Sequence, residues 1–103
     1  MSFTINEKLA MVQLLDLIVT SDEKISPDER DFMELIMNDL EINVDSIDDI
    51  RKRDINLSLE IVKKMSKENK EGFRELIINM ANVDGSFHIR EKAFISLITA
   101  VIL

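Results

Sequence analysis

The chain has no cysteine, no tryptophan and no tyrosine, and only two glycines and one proline among its 103 residues. Without cysteine there is no disulfide, no thiol nucleophile and no thiolate metal site. Gly72, Gly85 and Pro27 are too few turn formers for a hairpin-rich β fold. No apolar stretch reaches the ~20 residues that span a bilayer, so membrane insertion is not expected. The start, MSFTINEKLA, puts no basic region before an apolar run and does not read as a secretory signal. A reducing cytoplasm fits these absences. There is also no G-x-S-x-G, no Gly-rich phosphate loop, no H-E-x-x-H and no Cys/His ligand cluster. No enzymatic activity is expected.

What is present is 46% apolar and 32% charged residues, an ordinary balance for one globular domain spanning 1–103. The net charge of −7 is unevenly spread. Residues 1–50 hold 13 acids and 3 bases, whereas residues 51–103 hold 7 acids and 10 bases. A bipolar surface of this kind suits a protein partner or self-association; the plainer reading is two differently solvated faces. Nucleic acid is disfavoured, because the bases from Arg51 to Arg74 are interleaved with Asp54, Glu60, Glu68 and Glu71, and no Tyr or Trp is available to stack on bases.

Apolar spacing predicts a first helix over about 5–20, with Ile5, Leu9, Val12, Leu15, Ile18 and Val19 in one stripe. Leu14 and Leu17 widen that stripe, so the helix is expected to be buried on more than one side. Ser26, Pro27 and Glu29 make an S-x-x-E capping box for a second helix. That helix is expected to turn Phe32, Leu35, Ile36 and Leu40 inward, with Met33 and Met37 flanking, and to fade near Glu41. Asp45 or Ser46 is the expected cap of a short helix through Arg53. Asp54 or Asn56 then opens another, with Ile55, Leu59, Val62 and Met65 on one side. Ser66 caps the next, whose stripe is Phe73, Leu76, Ile77, Met80 and Ala81. A last helix from about Ile89 ends in the apolar run ITAVIL, which is expected to pack on the first helix; the sharper alternative is a patch that dimerises or docks a partner helix. No stretch alternates as a strand would. The prediction is an all-α bundle of five to six helices.

The chain also repeats itself. Sliding it by 62 positions lays Asp22 on Asp84, Ile25 on Phe87, Glu29 on Glu91, Phe32 on Phe94 and Ile36 on Ile98. The two copies, about 9–42 and 70–103, predict two pseudo-symmetric helical hairpins. In each, an Asp ends one helix and a Glu follows seven residues later. Asp is electrostatically misplaced at a helix C-terminus, so turn amides, a basic neighbour or a cation should compensate. Gly85 supplies the φ > 0 that such a stop needs, and Glu23 does not.

Placed on a calcium loop, Asp84 takes the fifth position, Gly85 the sixth, Phe87 the eighth and Glu91 the twelfth. Asn82 is acceptable at the third position. Met80 stands at the first and cannot coordinate calcium, which rejects an EF-hand. Half a site remains: Asn82, Asp84 and Glu91, with Asp22 and Glu29 as a poorer counterpart, for a divalent cation such as Ca²⁺ or Mg²⁺ held at about millimolar strength. The structural alternative is a turn device without metal. His88, the single histidine, reads as an exposed turn residue.

The segments MANVDGSFHIREKAF and IVTSDEKISPDERDF resemble the TerB-like superfamily, which includes tellurite-resistance protein TerB and the N-terminal domain of the co-chaperone DjlA. The resemblance covers about Leu9 to Ile102. It implies an all-helical fold of two halves, a bacterial cytosolic setting, and an acidic, metal-capable site at Asp84 and Glu91 and at Asp22 and Glu29. The chain departs from the pattern at Glu23, where the family favours Gly, and at Asn82 and Val83, where it favours small residues. The expected function is a non-enzymatic helical interaction module of TerB-like type in stress-related complexes, acting through its charged surface and the repeated Asp/Glu turn; the alternative is a weak divalent-cation module at Asp84 and Glu91.

Overall fold

Seven consecutive residues, Ala10 to Asp16, are buried on the first helix, α1 (Ile5–Thr20), so every side of its middle is covered. The computed structural model describes residues 2–20 and 27–81, together with positions 96 and 100, both helical; at 27–29, 80 and 81 it describes the backbone alone. After α1 come α2 (Pro27–Asp39), a 3-10 turn (Val44–Ser46), α3 (Ile47–Arg51), α4 (Ile55–Lys63) and α5 (Lys67–Ala81). The described residues are all-helical and contain no strand. None of the described helices is long and apolar enough to cross a membrane.

The start of α1 is fixed by a capping box that the sequence analysis passed over. Glu7 accepts from the Thr4 amide at 2.8 Å, and the Glu7 amide donates to Thr4 Oγ1 at 3.1 Å. From there α1 runs through the centre of the fold, packed most extensively on α4 and also on α2 and α3. The Ser2 carbonyl meets Asn69 at the start of α5, while Gln13 meets the start of α4, which sets α1 and α4 antiparallel. Leu14, Leu15 and Ile18 are fully covered, and each such burial contributes about 1.5–3 kcal/mol. Ile5 departs from the expected stripe: it lies in the first turn and is 59% exposed.

On α2 the inward stripe is Met33, Ile36, Met37 and Leu40, spaced i, i+3, i+4, i+7. Leu35 was expected inside and is 55% exposed. It lies two positions from both Met33 and Met37, about 200° around the helix from each, and therefore on the far side. The methionines are core residues and not flanks. Phe32 is partly buried against the same cluster.

The helix ends in a Schellman arrangement, with the Ile42 amide on the Met37 carbonyl at 2.8 Å and the Glu41 amide on the Asn38 carbonyl at 3.0 Å. Glu41 takes the left-handed position with φ of 60°. Asn43 caps the 3-10 turn, its side chain accepting from the Asp45 amide; Ser46 stands at the N-cap position of α3 as expected but makes no side-chain capping bond. Asp54 caps α4 by accepting from the Asn56 amide at 2.9 Å. Ser66 accepts from the Asn69 amide at the start of α5. On α4 Ser58 and Val62 are covered, as is Met65 just beyond its end, whereas Ile55, on the same face but in the first turn, is 42% exposed. On α5, Phe73 and Ile77 are buried and Leu76 partly so, as predicted. Ser26 of the expected capping box lies outside the described residues, as does the expected helix from Ile89 with its ITAVIL run apart from positions 96 and 100, which are helical and exposed.

Candidate functional site

Two polar side chains on α1 are buried, and each joins a helix from later in the chain. Gln13 Nε2 donates to the Arg53 carbonyl at 2.7 Å, and the Ser58 hydroxyl donates to Gln13 Oε1 in a short hydrogen bond. This fixes the start of α4 against α1. Nearby, Arg53 Nε is buried with no hydrogen-bond partner among the described residues.

Three residues further along α1, Asp16 is 5% exposed and accepts both arms of Arg51, the last residue of α3. Arg51 Nε reaches Oδ2 and Nη2 reaches Oδ1, each at 3.0 Å. This is a two-pronged guanidinium–carboxylate pair, stronger and more directional than a single contact. The Arg51 side chain is 45% exposed, so its outer edge stays in water. Its Nη1 lies 3.8 Å from Asp48, a residue open enough to add little. The hydrogen bonds it donates to Asp16 hold the Arg51 guanidinium pKa above its ordinary value; burial opposes this, and the charges of Asp16 and Asp48 add to it.

The pair forms one wall of a cleft of about 190 Å³. Val19 continues the α1 wall beside Asp16, and Met33 and Met37 come from the inward stripe of α2. Val44 and Ile47 close the side opposite, from the 3-10 turn and the start of α3. Arg30 and Glu34, one turn apart on α2, stand at the mouth and are exposed. The interior is apolar and rich in polarisable sulfur, and the charges sit at its edge. With Asp16 held by Arg51 through both oxygens, the lining offers no nucleophile–base pair. What it offers is a place for an apolar group.

The described lining of this cleft contains none of the residues singled out from sequence as a site. Asn82, Asp84, Glu91 and Asp22 lie outside the described residues, as does the Glu29 side chain; the Glu29 backbone is in the first turn of α2. Among the described residues, no group of three or more His, Asp or Glu side chains is arranged to hold a metal ion. The sequence analysis missed Gln13, Asp16 and Ser58. Gln13 and Asp16 stand among Val12, Leu14, Leu15 and Leu17, and a helix apolar on all sides has to bury its polar residues too.

These residues define an all-helical domain with a methionine-walled cleft. No family model matches the chain, and no curated protein matches it. Among solved structures it is similar to PG1108 of Porphyromonas gingivalis W83, a protein of unknown function. The two share 23% identity, with 99% of this chain and 86% of that chain covered at a TM-score of 0.76. The likeness is one of fold.

Proposed function

We propose that the chain is a non-enzymatic helical interaction module of TerB-like type, which binds a protein partner through the charged surface around the α2–α3 cleft. The observation that carries this reading is the cleft itself, an apolar recess of about 190 Å³ set in the acid-rich half of the chain. The buried-core side of α2 and the exposed acids of α2 and α3 meet at its mouth. Interfaces commonly combine such an apolar centre with a polar rim. On the TerB-like reading, α1 ending at Thr20 and α2 starting at Pro27 form the first of its two helical hairpins. On that reading the module works in the bacterial cytoplasm, in stress-related complexes.

The test is photo-crosslinking in cells, with a benzophenone residue placed at Glu34 beside the cleft or at Glu75 on α5. A discrete crosslinked protein from Glu34 is the expected result. Crosslinks from Glu75 alone would move the interaction to another face, and none from either position would end the interaction reading. The alternative function, a weak divalent-cation module at Asn82, Asp84 and Glu91, rests on the sequence pattern alone.

A further inference from the structure

The size of the cleft limits what enters it. An apolar cavity of ~150 Å³ takes one benzene ring. A recess of about 190 Å³ therefore holds one large side chain, of the size of leucine, phenylalanine or tryptophan. Its walls suit such a guest: Met33 and Met37 are unbranched and polarisable, adapt to the shape of what lies against them, and make favourable contacts with aromatic rings. Val19 and Ile47 add fixed apolar surface to the lining. A single anchor seated in a desolvated pocket is the usual source of most of the affinity in an interface.

Charge limits the guest further. Residues 16–51, which span the lining of the cleft, hold 12 acids against 3 bases. Along α2 and the 3-10–α3 segment, Asp31, Glu34, Asp39, Asp45, Asp48 and Asp49 are all exposed. The basic groups at the cleft are Arg30 and Arg51, and Arg51 is already held by Asp16. Positive charge approaching this face is attracted, and negative charge is repelled.

We propose that the cleft between α1, α2 and α3 receives one large apolar side chain from a basic amphipathic segment of a partner protein. The proposal rests on the interaction-module reading above and specifies the chemistry of the partner. An amphipathic helix can present such an anchor on its apolar face, with lysines or arginines on the guest facing the acidic rim.

The experiment uses the full chain labelled with ¹³C at the methionine methyls, the Met33 and Met37 signals being assigned with Met33→Leu and Met37→Leu. The probe is a synthetic Leu/Lys amphipathic helical peptide with one central Trp. Two comparison peptides carry Ala for the Trp, or Glu for every Lys. The expected result is saturable shifts at Met33 and Met37, at least tenfold weaker binding of the Ala peptide, and none of the Glu peptide. Val19→Phe, which fills the cleft, should abolish the shifts. Because that change in a buried position can unfold the domain, the exposed pair Glu34→Lys and Asp48→Lys gives a second variant, expected to weaken binding at least tenfold.

Equal binding with and without the Trp would overturn the proposal, as would methionine signals that stay still. Met33 and Met37 signals that move on dilution of the protein alone would also overturn it, by placing a second copy in the cleft. A partner crosslinked from Glu34 while the peptide leaves both methionines unmoved would keep the interaction module and discard its basic ligand.

Discussion

Asp16 and Arg51 are 35 residues apart in the chain and meet through two parallel N–H···O bonds of 3.0 Å, one to each carboxylate oxygen. The contact fastens α3 to the central helix. It also occupies the one carboxylate in the wall of the cleft that is buried. Removing Arg51 leaves that carboxylate buried and unpaired, the costly way to break such a pair. Arg51→Ala should therefore destabilise the fold by about 2 kcal/mol, below the fully buried range because the guanidinium is half exposed. Arg51→Lys should restore only part of this, since an ammonium cannot make the two-pronged contact. Urea unfolding of both variants is the check, and equal stabilities would contradict the assignment.

The Gln13–Ser58 pair predicts a coupling. Ser58→Ala removes the donor to a buried amide oxygen and should cost about 1–3 kcal/mol. Gln13→Leu should also destabilise, because it strands the Ser58 hydroxyl and the Arg53 carbonyl. The double variant should lose less than the two single losses added together, with an interaction energy of about 0.5 kcal/mol or more. Strict additivity in denaturant melts would show that the pair is not a unit.

Glu41 predicts a gain. It holds φ of 60° at the end of α2, where glycine has no side-chain clash, and its side chain is exposed. Glu41→Gly should stabilise the domain by roughly 0.5–1 kcal/mol, net of the extra freedom glycine has when unfolded. Glu41→Val should destabilise it, because a branched side chain tolerates that region least. Thermal melts of the two variants should move in opposite directions.

At the other end of the first helix, Thr4→Ala should lower stability by about 1 kcal/mol through loss of the bond to the Glu7 amide. Glu7→Gln keeps the acceptor for the Thr4 amide and should cost less. Helix content and melting temperature, followed by circular dichroism, measure both.

The cation alternative carries its own prediction. If Asn82, Asp84 and Glu91 hold a divalent ion, ~10 mM Ca²⁺ or Mg²⁺ should raise the melting temperature of chelator-treated protein, and Asp84→Asn should remove the rise. Identical melts with and without ion would leave the Asp–Glu turn as a turn device.

The helices were legible because their signals are local. Apolar spacing placed α1, and single residues such as Asp54 and Ser66 marked starts that the structure bears out. The phase of α2 was not legible in the same way. Leu35 and Met33 are both apolar, and only the position of α1 and α3 decides which of them turns inward. Asn43 was passed over because Asp45 and Ser46 cap equally well in isolation. The cleft was invisible for a related reason: its walls come from residues 16 to 51, and no spacing rule relates Asp16 to Arg51 or Met37 to Ile47. The Thr4–Glu7 box, by contrast, was readable as T-x-x-E ahead of an apolar run.

The all-round burial of α1 sets an order of events during synthesis. This helix leaves the ribosome before α4, the described element against which it packs most extensively, which ends at Lys63, more than 40 residues later. At about 5–20 residues per second, translation leaves that apolar rod unpartnered for roughly 2–9 s. The nascent chain should therefore be at its stickiest after α1 has emerged and before α4 has. Ribosome-bound chains arrested with α1 clear of the exit tunnel and α4 still inside it should bind a hydrophobic dye or a holdase chaperone, and chains arrested with α4 and α5 both clear should bind less.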